Sequence, residues 1–76
     1  MNLDTFALRG EHITLEALIK AADLNGQREL ARAVIADGLV QVNGEVETRR
    51  GRKLRVDDVV QLGAAAVRVV DADPAQ

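Results

Sequence analysis

The sequence predicts an α+β domain, a two-helix hairpin packed on a small, mainly antiparallel sheet, and three observations carry that expectation. Apolar residues recur at helical spacing from Thr14 through Asp37. Beyond Gly38 the period shortens from 3.6 to 2, and β-branched residues mark short strands. Between the two helical stretches stands only Asn25-Gly26, too short a link for anything but a helical hairpin or corner. With 76 residues, 47% of them hydrophobic, the chain has material for one small aliphatic core and none for a second domain. A domain of this size buries about 60% of the surface its unfolded chain exposes.

The first helix is expected over 14–24, with Leu15, Leu18, Ile19 and Ala22 on its buried side and Glu16, Lys20 and Asp23 opposite. Thr14 is its N-cap, without a full capping box because Ala17 stands where a Glu or Gln would reach back. Asn25 and Gly26 end it. The second helix is expected over 27–37, burying Leu30, Ala31, Val34 and Ile35 and closed by a left-handed Gly38.

The strands are expected around Val40 and Val42, Val46 to Thr48, Val59 to Leu62 and Ala66 to Val70. A two-residue turn on Asn43-Gly44 would pair Val42 with Glu45 and Val40 with Glu47, which puts valines and carboxylates on one face. A three-residue loop of Val42, Asn43 and Gly44 pairs Val40 with Val46 instead and is the expected register. Of residues 49–55 only Leu54 is apolar, so that segment is an exposed loop or edge. Val56-Asp57-Asp58 turns into the third strand, and Gly63 leads through alanines to the last. The domain is expected to span 1–70 around a core of 13–62, with 71–76 a flexible tail.

Charge locates the function. RRGRKLR, from Arg49 to Arg55, holds five of the ten Lys and Arg residues of a chain whose formal charge is −2. At physiological salt the Debye length is about 8 Å, so an anion near this cluster feels little of the distant carboxylates, and a polyanion is the natural partner. Arg28 and Arg32 stand four apart on the second helix with Leu24 and Ala36 where an acidic partner at helical spacing would stand. If that helix edge abuts the basic loop, the two groups share one surface.

Other chemistries find little support. The chain has no Cys and one His, so thiolate chemistry and Cys-ligated zinc are excluded, and His12 has no serine or second histidine to work with. Asp57-Asp58 fits turn chemistry, and no Gly-rich phosphate loop or metal-ligand spacing occurs. No cofactor and no catalysis are expected. No stretch approaches the roughly 20 apolar residues of a membrane helix, and the N-terminus lacks a signal-peptide run, so a cytoplasmic protein is expected. Phe6 is the single aromatic residue and is expected in the core. Single-strand readers stack bases on aromatic platforms, so a polyanion bound here is structured RNA recognised by shape and phosphate. DNA is disfavoured because neither helix joins basicity to side chains suited to base edges.

The segments ITLEALIKAADL and RELARAVIADGLVQVNGEVETRRGRKLRVDDVV resemble the RNA-binding domain first described in ribosomal small-subunit protein S-four. The likeness runs from about Ile13 to Leu62, and within the family it is greatest to the short stand-alone bacterial members called YbcJ-like. The resemblance implies an α-L motif whose RNA face combines the second helix with the loop after the first hairpin. It places the RNA contacts on Lys20, Arg28, Arg32, Arg49, Arg50, Arg52 and Lys53, with Gly38 and Gly44 as structural turns. Gln27 stands where the family often has Ser, which leaves the second helix weakly capped. The implied function is non-catalytic binding of ribosomal or transfer RNA in translation, by a monomer able to associate with the ribosome. The alternatives are a protein-interaction adaptor using the same basic face and a ubiquitin-like sulfur carrier. The carrier is set aside because the chain ends Asp-Pro-Ala-Gln without Gly-Gly and its helices precede the clear strands.

Overall fold

The computed structural model describes residues 2–72. Strand β1 (Asn2–Leu8) and a two-residue strand β2 (Ile13–Thr14) lead into helix α1 (Leu15–Ala22). Two 3-10 turns, Leu24–Gly26 and Arg28–Leu30, precede helix α2 (Ala31–Ala36). Then come β3 (Val40–Val42), β4 (Glu45–Val46), β5 (Lys53–Leu54), β6 (Val59–Leu62) and β7 (Ala65–Asp71). Five strands form a sheet in the order β1-β7-β6-β3-β4, and β2 pairs antiparallel with β5 in a separate ribbon. The expected class of two helices on a small, mainly antiparallel sheet is what forms. None of the described helices is long and apolar enough to cross a membrane.

Helix α1 begins as its sequence dictates, with Thr14 extended and its Oγ1 accepting the Ala17 N–H at 3.3 Å. It stops earlier than expected. Asp23 takes the left-handed conformation (φ 47°), and its N–H returns to the Ile19 and Lys20 carbonyls. The second helix is also shorter than 27–37. Gln27 and Leu30 adopt non-helical backbone angles without side-chain caps, so Arg28–Leu30 forms a 3-10 turn and α2 proper starts at Ala31. The weak cap at Gln27 is offset by Asp23, whose Oδ1 accepts the Arg28 N–H at 3.2 Å. At the far end Gly38 (φ 76°) closes α2 in a Schellman motif: its N–H bonds to Ile35 and that of Leu39 to Val34.

Three expectations are corrected here. The first hairpin turns on two residues, Asn43 (φ 53°) and Gly44 (φ 87°), pairing Val42 with Glu45 and Gln41 with Val46. Asn43 secures this turn by accepting the Val59 N–H (2.9 Å) and donating to Asp58 Oδ1 (3.0 Å). Val46 is consequently 59% exposed, and Glu47, bonded through its N–H to the Val40 carbonyl, is buried. The arginines described below satisfy its inward carboxylate, which makes that register tolerable.

Second, the N-terminal segment is a strand. β1 runs parallel to β7 with Phe6 opposite Val69, so the sheet has a parallel edge and two strands precede the helices. The ordering used against the sulfur-carrier reading therefore does not hold. Third, Leu30 is 54% exposed instead of lying in the buried stripe. β7 extends through Asp71, so the expected tail begins in a strand, and residues 73–76 lie outside the described residues.

The core sits between the helices and one face of the sheet. Leu15, Leu18, Ile19, Ile35, Val40, Val60, Val67, Val69 and Leu54 are essentially inaccessible to solvent. Phe6 packs partly buried against them.

Candidate functional site

The basic segment is anchored by its backbone. Leu54 inserts into the core, and β5 pairs Lys53 with Thr14 and Leu54 with Ile13. Arg52 and Arg50 offer their carbonyls to the N–H groups of Leu15 (2.8 Å) and Glu16 (3.0 Å). The first turn of a helix has N–H groups without intrahelical partners. Here the basic loop supplies two of the missing acceptors and Thr14 a third, so the helix end fixes the loop.

Glu47 fixes two of its side chains. One carboxylate oxygen accepts the Arg49 N–H (3.1 Å) and Nε–H (3.2 Å), and the other accepts from Arg49 Nη2 (3.3 Å) and Arg52 Nη1 (2.8 Å). The Arg49 side chain first, then Arg52 and the Arg49 backbone N–H, hold the Glu47 carboxyl down from an ordinary 4.5 to about 2. Glu47 reciprocally raises Arg49.

A second carboxylate organises the helical cations. Glu16 Oε2 accepts from Lys20 Nζ (2.8 Å) on its own helix and from Arg32 Nε (3.0 Å) on α2. These two partners hold the Glu16 carboxyl below its usual value. Arg32 thus has an acidic partner, on the neighbouring helix instead of its own. Arg28 lies on the preceding 3-10 turn, separate from α2, and its Nε donates to the Lys20 carbonyl at 3.0 Å. The side chains of Arg50 and Lys53 are exposed and make no hydrogen bond or ion pair among the described residues.

The seven sequence-predicted residues therefore form one connected group. Arg28 touches Lys20, Lys20 and Arg32 meet on Glu16, and the Glu16 N–H carries the Arg50 carbonyl of the loop that holds Arg49, Arg52 and Lys53. Sequence reasoning missed the carboxylates. The signal for Glu47 was present: the turn that placed it among valines also placed it two and five residues before arginines.

Glu47 makes the fold acid-sensitive. A carboxyl lowered in the folded state contributes stability that is present above its unfolded value and is lost as pH falls toward its folded value. Thermal melting of the wild type should therefore decline between about pH 4.5 and about pH 2. Glu47→Gln should flatten part of that decline, and an unchanged pH profile would show that these arginines do not engage Glu47 in solution.

Comparison with known proteins places the chain in a family. The chain is 40% identical over 62 residues, 80% of its length and 87% of the relative's, to a probable ribosome maturation protein, RlbA, of Bacillus subtilis (strain 168). Its fold is similar to the crystal structure of the 30S ribosomal protein S4e from Thermoplasma acidophilum, with a TM-score of 0.68 and 23% identity over 79% of this chain. The chain spans about a third of that larger protein, 32% of its length. The family model described as the S4 domain matches residues 6–70, taking in the end of β1, both helices, the anchored basic loop and nearly all of β7. The chain belongs to the S4 domain family.

Proposed function

We propose that this protein binds structured ribosomal or transfer RNA, without catalysis, through Lys20, Arg28, Arg32, Arg49, Arg50, Arg52 and Lys53. Membership of the S4 domain family and the ribosome-related relatives support an RNA-binding, ribosome-associated role in the cytoplasm. One observation carries the assignment to these residues. The loop and helix cations, distant in sequence, are joined through Glu16, and direct ion pairs with Glu16 and Glu47 offset only two of their seven positive charges. The side chains of Arg28, Arg50 and Lys53 have no acidic partner among the described residues, and a planar guanidinium suits the bidentate geometry of phosphate.

Salt titration tests this reading. With about four phosphates engaged, log affinity for ribosomal RNA should fall against log salt with a slope of roughly 3 to 4. Binding that does not respond to salt would refute an electrostatic interface.

A second reading, a protein contact away from the basic face, is favoured by a separate feature. A groove of about 530 Å³ is lined by Leu30, Val34, Leu39 and Leu62, with Leu30 and Leu39 more than half exposed. Ala33 of α2 and its C-terminal cap Asp37 also line it and lie about 100° or more around the helix axis from Arg32. A protein contact at this groove and RNA on the cations are compatible, and RNA binding that survives Leu30→Asp and Leu39→Asp separates them.

A further inference from the structure

Glu47 is an acidic side chain in the midst of the candidate RNA contacts, and simple electrostatics makes it an obstacle to a polyanion. Its geometry points the other way. The side chain is only 9% exposed, and its two oxygens accept four hydrogen bonds from Arg49 and Arg52. A guanidinium has five N–H donors. Arg49 commits Nε and one donor on Nη2, and Arg52 one donor on Nη1. Most donors on both groups remain uncommitted.

An exposed arginine must lose rotamer freedom to hold a phosphate. Arg49, with 75% of its side chain accessible, would be a mobile cation without Glu47. We propose that Glu47 is a positioning residue for RNA binding, which fixes the guanidinium groups of Arg49 and Arg52 before RNA arrives. This rests on the RNA-binding reading above. Its chemistry is specific to Glu47: the neighbouring Glu45 is exposed and has no side-chain hydrogen bond or ion pair among the described residues.

The two glutamates allow a test in which equal changes of charge have opposite effects. Glu45→Gln removes one negative charge and nothing else, so its affinity for ribosomal RNA should equal or exceed that of the wild type. Glu47→Gln removes the same charge but releases two arginines, and binding should weaken, by roughly tenfold from the cost of immobilising two long side chains. In an Arg49→Gln, Arg52→Gln background, Glu47→Gln should bring no further loss, because the residue acts through those arginines.

Glu47→Gln binding as tightly as wild type, or more tightly, would overturn the proposal, as would an equal loss in the double-arginine background. A measurement on the free wild type needs no variant to fold. The Nε–H groups of Arg49 and Arg52 should show restricted motion by NMR relaxation beside a mobile Arg50, and equal mobility at all three would also overturn it. Wild type that binds no RNA would refute the RNA reading, whereas the mobility comparison judges Glu47 by itself.

Discussion

Leu18→Ala is expected to leave a protein that is largely unfolded at ambient temperature. Leu18 is completely inaccessible, at the centre of an α1 stripe that meets both α2 and the sheet. Its truncation removes the transfer free energy of the lost carbons and leaves a cavity, together about 2–5 kcal/mol. Whole domains are stable by only about 5–15 kcal/mol, and one this small lies low in that range. Ile35→Ala should behave alike, since Ile35 is 1% exposed. Val46→Ala is the contrasting variant: Val46 is 59% exposed and should tolerate change within about 0.5 kcal/mol. Denaturation midpoints check all three. A wild-type midpoint for Leu18→Ala, or a collapsed Val46→Ala, would show that the hairpin has the other register and that the core is different.

That contrast marks where the fold is legible in the sequence. Local signals read correctly: Thr14 caps α1, Gly38 closes α2, and Leu54 is the buried residue of the basic segment. Each depends on chemistry within a few residues of itself. The misreadings are nonlocal. β1 has no clean alternation in its sequence, because Leu3 and Ala7 put apolar side chains on the exposed face opposite Phe6 and Leu8, and its partner β7 stands at the opposite end of the chain. The hairpin register turned on whether a carboxylate could face inward, which depends on Arg52 five residues later. Parity argued correctly that valine and glutamate would share a face, but took this as a cost when two guanidinium groups removed it.

The candidate site divides in the same way. Its cations were identifiable from clustering and family resemblance, because positive charge on an acidic chain is visible one residue at a time. Their partners were not. Glu16 and Arg32 are sixteen positions apart on different helices, and only the α1–α2 packing brings them to 3.0 Å. Likewise, nothing in RRGRKLR announces that two of its carbonyls cap a helix more than thirty residues upstream, although this is what gives the loop a fixed shape.

Replacing Arg49, Arg50, Arg52 and Lys53 together with Gln is expected to abolish RNA binding. Each phosphate contact contributes about a tenfold factor near 0.1 M salt, so removing four lowers affinity by roughly a thousandfold or more. The sequence alone assigns these residues to the surface and predicts an unmoved melting transition. The structure changes that expectation, because Glu47 would lose both arginines and remain an unpaired carboxylate in a nearly closed site. An unsatisfied buried polar group costs about 1–3 kcal/mol and a charged one more, a cost reduced here because Arg49 is 75% exposed and water screens the site. The double variant Arg50→Gln, Lys53→Gln separates binding from scaffold, since neither side chain has a partner among the described residues. It should melt within about 0.5 kcal/mol of the wild type and bind ribosomal RNA roughly a hundredfold more weakly. Wild-type affinity in the double variant would remove Arg50 and Lys53 from the interface. An unmoved melting curve in the quadruple variant would show that the Glu47 pairs add nothing to the fold, leaving holding the arginines for RNA as their remaining role.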